Sequence, residues 1–146
     1  MEIEQLTENR LEETSKLLDE YRQFYEQPSD VVAAKHFLQH RLVNKDSIIF
    51  IAIIEHVTVG FVQLYPTFST VGLKRAYILN DLYVSPIARQ KGVAQALIEQ
   101  CFTFCEAQNA RYITLETAIS NVQAQQLYEK VGMHIEDSVL HYIKYW

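Results

Sequence analysis

The fold of this chain is decided by the stretch Asn80-Asp81-Leu82-Tyr83-Val84-Ser85-Pro86-Ile87-Ala88-Arg89-Gln90-Lys91-Gly92-Val93-Ala94. An apolar strand runs into a short turn, and the turn presents Arg89-x-x-Gly92-x-Ala94 at the start of an amphipathic helix. Backbone amides at a helix N-terminus and the positive end of the helix dipole form a site for a diphosphate. Gly92 has no Cβ and lets a ligand approach the backbone, while Arg89 and Lys91 add positive charge. The stretch therefore predicts a diphosphate site, although a tight connection without a ligand explains such a turn about as often.

A second motif lies downstream of this turn, between Leu115 and Met133. It predicts a strand, a capped helix and a glycine stop, and it reads Asn121-x-x-Ala124-x-x-Leu127-Tyr128-x-x-x-Gly132-Met133. Taken with the first motif, in this order and at this separation, it resembles the GNAT superfamily of N-acetyltransferases. The resemblance covers most of the chain and is most specific from Tyr77 to Met133. It implies an enzyme that moves an acetyl group from acetyl-CoA to a primary amine.

The resemblance also implies how the cofactor is held. Backbone groups of Leu82 and Val84 hold the pantetheine arm and polarise the thioester carbonyl, and the turn that starts at Arg89 holds the pyrophosphate. Tyr128 matches the tyrosine that acts as general acid toward the CoA sulfur, the alternative being an ordinary core aromatic. Asn121 serves as helix cap and as the cofactor-side asparagine. The cofactor-binding residues implied in this way are Leu82, Tyr83, Val84, Arg89, Gln90, Lys91, Gly92, Val93, Ala94, Asn121, Ala124 and Tyr128.

The general base departs from the pattern of the histone-acetylating members that the chain resembles. Ile78 stands where those enzymes have a catalytic glutamate, and an isoleucine cannot take a proton. Asn80, Asp81 and Glu116 are the polar candidates nearby, and Asn80 and Asp81 are taken as the catalytic pair beside Tyr128. Strand alternation predicts that Asp81 lies on the face opposite to Asn80. A chain of water molecules is therefore as plausible as a direct base.

The acceptor side is expected on the first two helices, opposite the cofactor, as the resemblance implies. The segment from Tyr21 to Glu26 combines aromatic and acidic residues, which suit an alkylammonium ligand through cation–π attraction and charge. The alternative is that Tyr21 and Phe24 belong to the core at helical spacing. The substrate-binding candidates are Tyr21, Phe24, Tyr25 and Glu116. A small-molecule amine, a polyamine and a protein lysine all remain open as acceptors.

Composition and charge limit the classes of function. The 146 residues, 49% hydrophobic and 21% charged, fit one globular domain that spans residues 1–146. A net charge of -5 argues against general nucleic-acid binding. The longest apolar run, Ile48 to Ile54, has the length of a buried strand, whereas a membrane span needs roughly 20 apolar residues. The acidic start of the chain lacks the features of a secretory signal, so the expected location is the cytoplasm.

Other chemistries find little support in the sequence. Cys101 and Cys105 lie four residues apart on one predicted helix, which favours a place in the core over a metal or redox role. His36 and His40 are the only histidines with ligand spacing, and we expect no metal there. Neither the P-loop pattern nor Gly-x-Gly-x-x-Gly is present among the 4 glycines.

The pattern of hydrophobic residues predicts an α/β (α+β) architecture in the order β-α-α-β-β-β-α-β-α-β-β. This is the GNAT order, with a mixed central sheet of about seven strands flanked by four helices. A tight turn at Glu55-His56 joins two antiparallel strands, and residues 66–72 are expected to form a loop. Residues 133–137 and 139–145 are expected to be the last two strands.

The aromatic C-terminus suggests a contact beyond the single chain. Chain ends are usually polar and frayed, yet this chain ends in Tyr145-Trp146. The last strand is therefore expected to be covered, either by its own domain or by a second copy in a homodimer.

A different functional class also stays open, namely a CoA-binding regulatory module that has lost catalysis.

Overall fold

The computed structural model describes residues 1–146 and divides them into two compact units, Met1–Glu116 and Thr117–Trp146. The helices are α1 (Leu11–Phe24), α2 (Val31–Asn44), α3 (Val93–Ala107) and α4 (Val122–Lys130). The strands are β1 (Glu2–Gln5), β2 (Ile48–Ile54), β3 (Val57–Ser69), β4 (Lys74–Val84) and β5 (Ile113–Thr114). Short 3-10 turns precede α1 at Glu8–Arg10 and α3 at Pro86–Ala88.

The first unit contains one mixed sheet in the order β1-β2-β3-β4-β5. Strands β1 to β4 pair antiparallel with one another in order, and β5 runs parallel to β4. The predicted α/β class, the mixed sheet and the four helices are confirmed. The sheet has five strands rather than about seven, because residues 133–146 form no strand. Their residue pattern favours strands, but a strand also needs a backbone partner, and a local pattern cannot supply one.

The hairpin of β2 and β3 has a tight turn at its tip, and β3 extends further than expected. Glu55 and His56 both adopt positive φ, 49° and 68°, as a two-residue hairpin turn requires. Strand β3 continues through Pro66, where a loop was expected, and pairs there with Tyr77. Because β2 ends its pairing at Leu64, one edge of β3 is free at Pro66. A proline, which has no N–H, is tolerated at such an edge.

The sheet has a core on each face. On one face, α1 and α2 cover side chains of β2 and β3, and the cluster consists of Leu6, Leu11, Leu17, Leu18, Ala34, Leu38, Ile49, Ile51, Ile53 and Phe61. On the other face, α3 approaches so closely that a Cβ at Gly60 would lie 3.3 Å from Val93 and 3.4 Å from Leu97. Phe104 of α3 contacts Phe50 and Tyr77 edge-to-face. The layers thus follow the helix-on-sheet arrangement that buries both faces of a sheet.

Two cysteines of α3 lie inside this second core, as predicted. Both Cys101 and Cys105 are buried and unpaired by a disulfide. Burial raises the pKa of the Cys101 thiol to about 12 and that of Cys105 to about 11. Both thiols therefore stay protonated at neutral pH.

The structure contains no group of three or more His, Cys, Asp or Glu side chains able to hold a metal ion. None of its helices combines the length and apolar character that crossing a membrane requires.

Candidate functional site

The turn before α3 leaves backbone amides open toward solvent. The N-cap Gly92 has a left-handed φ of 76°, and no side chain caps the helix. The first amides of an α-helix have no intrahelical partner. A Cβ at Gly92 would meet nothing within 4 Å, and Lys91 is exposed beside it. The predicted diphosphate site therefore has suitable backbone geometry, and its ligand stays a prediction.

Arg89 ties this turn to the end of β4. Its Nε donates a hydrogen bond to the carbonyl oxygen of Val84 at 3.1 Å. Its guanidinium lies 5.7 Å from the centroid of the Tyr83 ring, within cation–π range. Gln90, the next residue, adopts a left-handed φ of 62°. Arg89 thus fixes the path of the turn as well as adding charge to it.

The last part of β4 has one open backbone edge. The only β4 residues that pair with β5 are Tyr77 and Ile78. The amide of Ser85 donates to Val59 of β3 at 2.7 Å. Because successive residues of a strand point to alternate edges, the backbone groups of Leu82 and Val84 face away from β3. These are the groups that the resemblance to the GNAT superfamily assigned to the pantetheine arm, and that role stays a prediction.

A β-bulge at Asn80 changes the face on which Asp81 lies. The register pairs Gln63 with Asp81 and Leu64 with Leu79, so Asn80 is the extra residue. The bulge interrupts the strict alternation on which the prediction of opposite faces rests, yet Asn80 is exposed and Asp81 is buried. The Asn80 amide donates to both carboxylate oxygens of Asp81 at 3.1 Å. The bulge therefore brings the two predicted catalytic residues together.

Asp81 is a buried carboxylate without a cation. Its exposed fraction is 8%, and no Lys, Arg or His side chain forms an ion pair with it. The Gln63 amide donates to its Oδ2 at 2.8 Å and to the Tyr65 hydroxyl at 3.2 Å. The other amide atom, Gln63 Oε1, is buried without a hydrogen-bond partner. A buried carboxylate needs hydrogen-bond donors where it has no cation, and the amides of Gln63 and Asn80 supply them.

Tyrosines surround the carboxylate. Burial, the charge of Asp81 and contact with Tyr25 raise the pKa of Tyr21 far above its usual value. Burial and then Asp81 raise the pKa of Tyr65 to about 12. The Tyr21 ring packs edge-on against Phe61, at a centroid distance of 5.9 Å, and against Tyr83 at 6.0 Å. Both phenols near Asp81 therefore remain neutral donors at any physiological pH.

Three of the four predicted acceptor residues, Tyr21, Phe24 and Tyr25, are linked by ring contacts. Tyr21 packs beside Asp81 and contacts Tyr25, with ring centroids 5.1 Å apart. Phe24 is 66% exposed and touches the Tyr25 ring, so it is not a core residue. Glu116 is exposed at the end of the first unit. The structure thus places Tyr21 beside Asp81, with Tyr25 in contact with Tyr21.

Sequence reasoning missed Gln63 and Tyr65. Both lie on β3, on the face that carries Phe61. A signal was available, because Gln63 is a lone amide within the apolar run from Val57 to Leu64. A buried polar side chain in such a strand needs a partner, and Asp81 is that partner.

The second unit contains the remaining cofactor candidates on α4. Asn121 caps this helix, since its Oδ1 accepts from the amide of Ala124 at 3.2 Å. Ala124 and Tyr128 are four residues apart and share one helix face. Gly132 has a φ of 100°, as expected for a left-handed residue after a helix. The predicted cap and stop are confirmed, while the roles of these side chains stay predictions.

Comparisons with known proteins all relate this chain to acetyltransferases. Residues 11–133 match the model of the acetyltransferase (GNAT) family. The Bacillus subtilis (strain 168) protein named "Uncharacterized N-acetyltransferase YhfO" is 41% identical over 142 residues, which covers 97% of this chain and 95% of that protein. A crystal structure of a probable acetyltransferase has 34% identity and a TM-score of 0.95, and it covers 100% of this chain and 98% of its own.

A more distant structure shares the fold. It is AAC(6')-Iy in complex with a bisubstrate analogue, CoA-S-monomethyl-acetylneamine, with a TM-score of 0.81 at 22% identity. The alignment covers 99% of this chain and 98% of that one.

Proposed function

Since the chain belongs to the GNAT acetyltransferase family, we propose that it transfers the acetyl group of acetyl-CoA directly to a primary amine. The observation that carries this proposal is the buried, cation-free Asp81 at the bulge of β4, the strand whose end leads into the uncapped N-terminus of α3. A small-molecule amine, a polyamine and a protein lysine are the candidate acceptors.

The cofactor would bind through backbone groups of the first unit. The amides that follow Gly92 would hold the pyrophosphate, and Lys91 would add charge. The open edge of β4 at Leu82 and Val84 would pair with the pantetheine amides, as an added strand does. One of these backbone amides would stabilise the oxyanion that forms on the thioester carbonyl. Acetyl-CoA supplies the activated acyl group.

The acceptor amine would enter at Asp81. An alkylammonium carries three N–H donors, and the carboxylate of Asp81 together with Gln63 Oε1 offers acceptors for them. The aromatic rings of Tyr21 and Tyr25 favour a cation beside this carboxylate. In this proposal Asp81, oriented by Asn80, takes a proton from the ammonium directly or through one water, because only the neutral amine can attack.

The CoA thiolate that leaves must be protonated. The amine nitrogen forms a bond to the acetyl carbon, the C–S bond breaks, and the thiolate needs a proton. Tyr128 is our candidate for this general acid, on the strength of its place in the Asn121-to-Met133 motif. The AAC(6')-Iy structure holds a bisubstrate analogue, CoA-S-monomethyl-acetylneamine, which supports the idea that this fold can hold both reactants together.

The test is an amine panel with acetyl-CoA, followed by CoA release and by mass spectrometry of the acceptor. Polyamines, lysine peptides and aminoglycosides form the cationic arm, and alcohols and carboxylate-rich amino acids form the control arm. Acetylation confined to the cationic arm is the expected result. The alternative of an inactive CoA-binding module predicts acetyl-CoA binding by calorimetry with no CoA release from any amine, which would refute the proposal.

A further inference from the structure

Tyr83 lies at the end of β4, where three parts of the first unit meet. Its hydroxyl donates a hydrogen bond to Oε2 of Glu20 on α1 at 3.2 Å. The guanidinium of Arg89, in the turn before α3, lies 5.7 Å from the centroid of its ring. The same ring contacts the Tyr21 ring of α1 edge-on, at a centroid distance of 6.0 Å. One side chain therefore contacts both the helix that carries Tyr21 and the turn that carries Arg89.

The hydroxyl of Tyr83 lies between a carboxylate and a cation. Burial, and then the charge and hydrogen bond of Glu20, raise the pKa of Tyr83, while Arg89 acts in the opposite direction. A phenol with a raised pKa stays protonated at neutral pH, so it donates to Glu20 and its lone pairs remain for a donor. Arg89 binds the Val84 carbonyl through Nε, which leaves the two terminal nitrogens of its fork for the hydroxyl and for a ligand.

These contacts hold Arg89 in one geometry before any ligand arrives. A long side chain that must be ordered during binding lowers the affinity by a factor of about two to ten. An arginine that is already ordered avoids this loss, and its fork is suited to phosphate oxygens. On the other side of Tyr83, its ring and Phe61 enclose Tyr21, which lies beside Asp81.

We propose that Tyr83 is a positioning residue for both substrates: its hydroxyl, held by Glu20, orients Arg89 for the diphosphate of acetyl-CoA, and its ring holds Tyr21 at the amine site beside Asp81. This inference rests on the proposed function. The hydroxyl and the ring have separate tasks, so substitutions can separate them. Because the side chain of Tyr83 acts through its neighbours, the effects appear in substrate binding and leave kcat within about twofold of wild type.

The first experiment measures acetyl-CoA binding by calorimetry. Tyr83→Phe and Glu20→Ala should each raise the dissociation constant about two- to tenfold, and combining them should add nothing. Glu20→Gln keeps an acceptor oxygen and should bind at least as tightly as wild type. Glu12→Ala is the control, because Glu12 lies on the same helix and pairs with Lys35 instead.

Two failures are distinguishable in this experiment. A wild-type protein that does not bind acetyl-CoA refutes the proposed function and this inference with it. A wild-type protein that binds acetyl-CoA no better than Tyr83→Phe does, or a Glu20→Gln variant as weak as Glu20→Ala, refutes this inference alone.

The second experiment asks whether the hydroxyl acts through Arg89. In an Arg89→Gln background, Tyr83→Phe should cause no further loss of acetyl-CoA affinity, since the side chain that it orients is gone. The same loss in both backgrounds would show that Tyr83 only supports the general fold, and it would overturn the proposal.

The third experiment separates the ring from the hydroxyl by steady-state kinetics. Tyr83→Phe should leave the KM for the amine unchanged, whereas Tyr83→Leu, which removes the ring beside Tyr21, should raise it at least about threefold. Tyr83→Met fills more of the space and serves in place of Tyr83→Leu if circular dichroism shows that the latter is unfolded. Tyr112→Leu is the control for losing a tyrosine ring elsewhere. A wild-type amine KM in the ring-deleted variant would refute the task of the ring.

Discussion

The Gln63 amide donates to the Asp81 carboxylate at 2.8 Å across the β3–β4 pair, next to the extra residue Asn80. This contact determines what the carboxylate can do. It occupies one lone pair of Oδ2 and turns Gln63 Oε1 away as an unpartnered acceptor. Asn80, Gln63 and Asp81 therefore form one polar cluster in an otherwise apolar sheet.

Replacing Asp81 tests the function of this polar cluster. Asp81→Asn keeps the volume but cannot accept a proton, and its new NH₂ group faces the Gln63 and Asn80 donors. We expect kcat/KM for the amine to fall by about 10²–10⁴-fold, while acetyl-CoA affinity stays the same. The rate should rise with pH as the amine loses its proton, and the variant should keep this rise, because without the carboxylate it depends on amine that solvent has deprotonated. The control is Asp46→Asn, a carboxylate paired with Arg41 instead. Equal activity of wild type and Asp81→Asn would remove Asp81 from the mechanism.

Gly92→Asp tests the turn. The side chain would occupy the open space in front of the amides, add negative charge and strain a left-handed residue. We expect acetyl-CoA binding to disappear in calorimetry while circular dichroism stays native. Gly132→Asp is the matched control, because Gly132 also has positive φ and open space around its Cα. If Gly92→Asp and Gly132→Asp bind acetyl-CoA equally well, the turn is not the pyrophosphate site.

Tyr128→Phe tests the proposed general acid. The ring is retained and only the hydroxyl is lost, so kcat should fall by about 10²–10⁴-fold with little change in acetyl-CoA affinity. Tyr112→Phe removes an exposed hydroxyl outside the proposed site and should have wild-type kcat. The comparison is made by steady-state kinetics with the best amine of the panel. Wild-type turnover in Tyr128→Phe would leave Tyr128 with a packing role.

Asp19 should make stability depend on pH. Its carboxylate accepts from the Asp30 amide at 2.6 Å and from the Ser29 hydroxyl at 2.7 Å, which joins α1 to the start of α2. The backbone bond to Asp30, followed by the Ser29 bond, lowers the pKa of Asp19 in the folded state. A lowered pKa stabilises the fold above the unfolded value near 4, and the stabilisation is lost as pH falls through the folded value.

Asp19→Asn should therefore cost about 1–3 kcal/mol at pH 7 and progressively less below about pH 4. Thermal unfolding from pH 2 to pH 8 measures the difference from wild type. Glu4→Gln, at an exposed carboxylate of β1, is the control and should change little at any pH. A difference that is constant with pH would show that Asp19 does not act through its charge.

Features that depend on neighbouring residues could be predicted from the sequence. The left-handed Gly132, the Asn121 cap and the Glu55-His56 turn all follow from local backbone chemistry. The class of fold and the four helices follow from hydrophobic periodicity in the same way.

Features that depend on pairing between distant segments could not be predicted from the sequence. The bulge at Asn80 exists only in the register of β4 against β3, and the face of Asp81 follows from it. The partnership of Gln63 with Asp81 spans 18 residues of sequence. The extension of β3 through Pro66 depends on where β2 stops. Residues 133–146 carry a strand pattern but form no strand, because a strand also needs a backbone partner, which a local pattern cannot supply.

Because the thiols of α3 are buried and protonated, the protein should react very slowly with thiol-specific reagents. With pKa values raised to about 12 for Cys101 and about 11 for Cys105, the thiolate fraction at pH 8 is on the order of one in a thousand or less. A disulfide dye that reports free CoA would then register product with almost no signal from the protein. Since the chain has only these 2 cysteines, a cysteine introduced on the surface could also carry a single spectroscopic label in the native state.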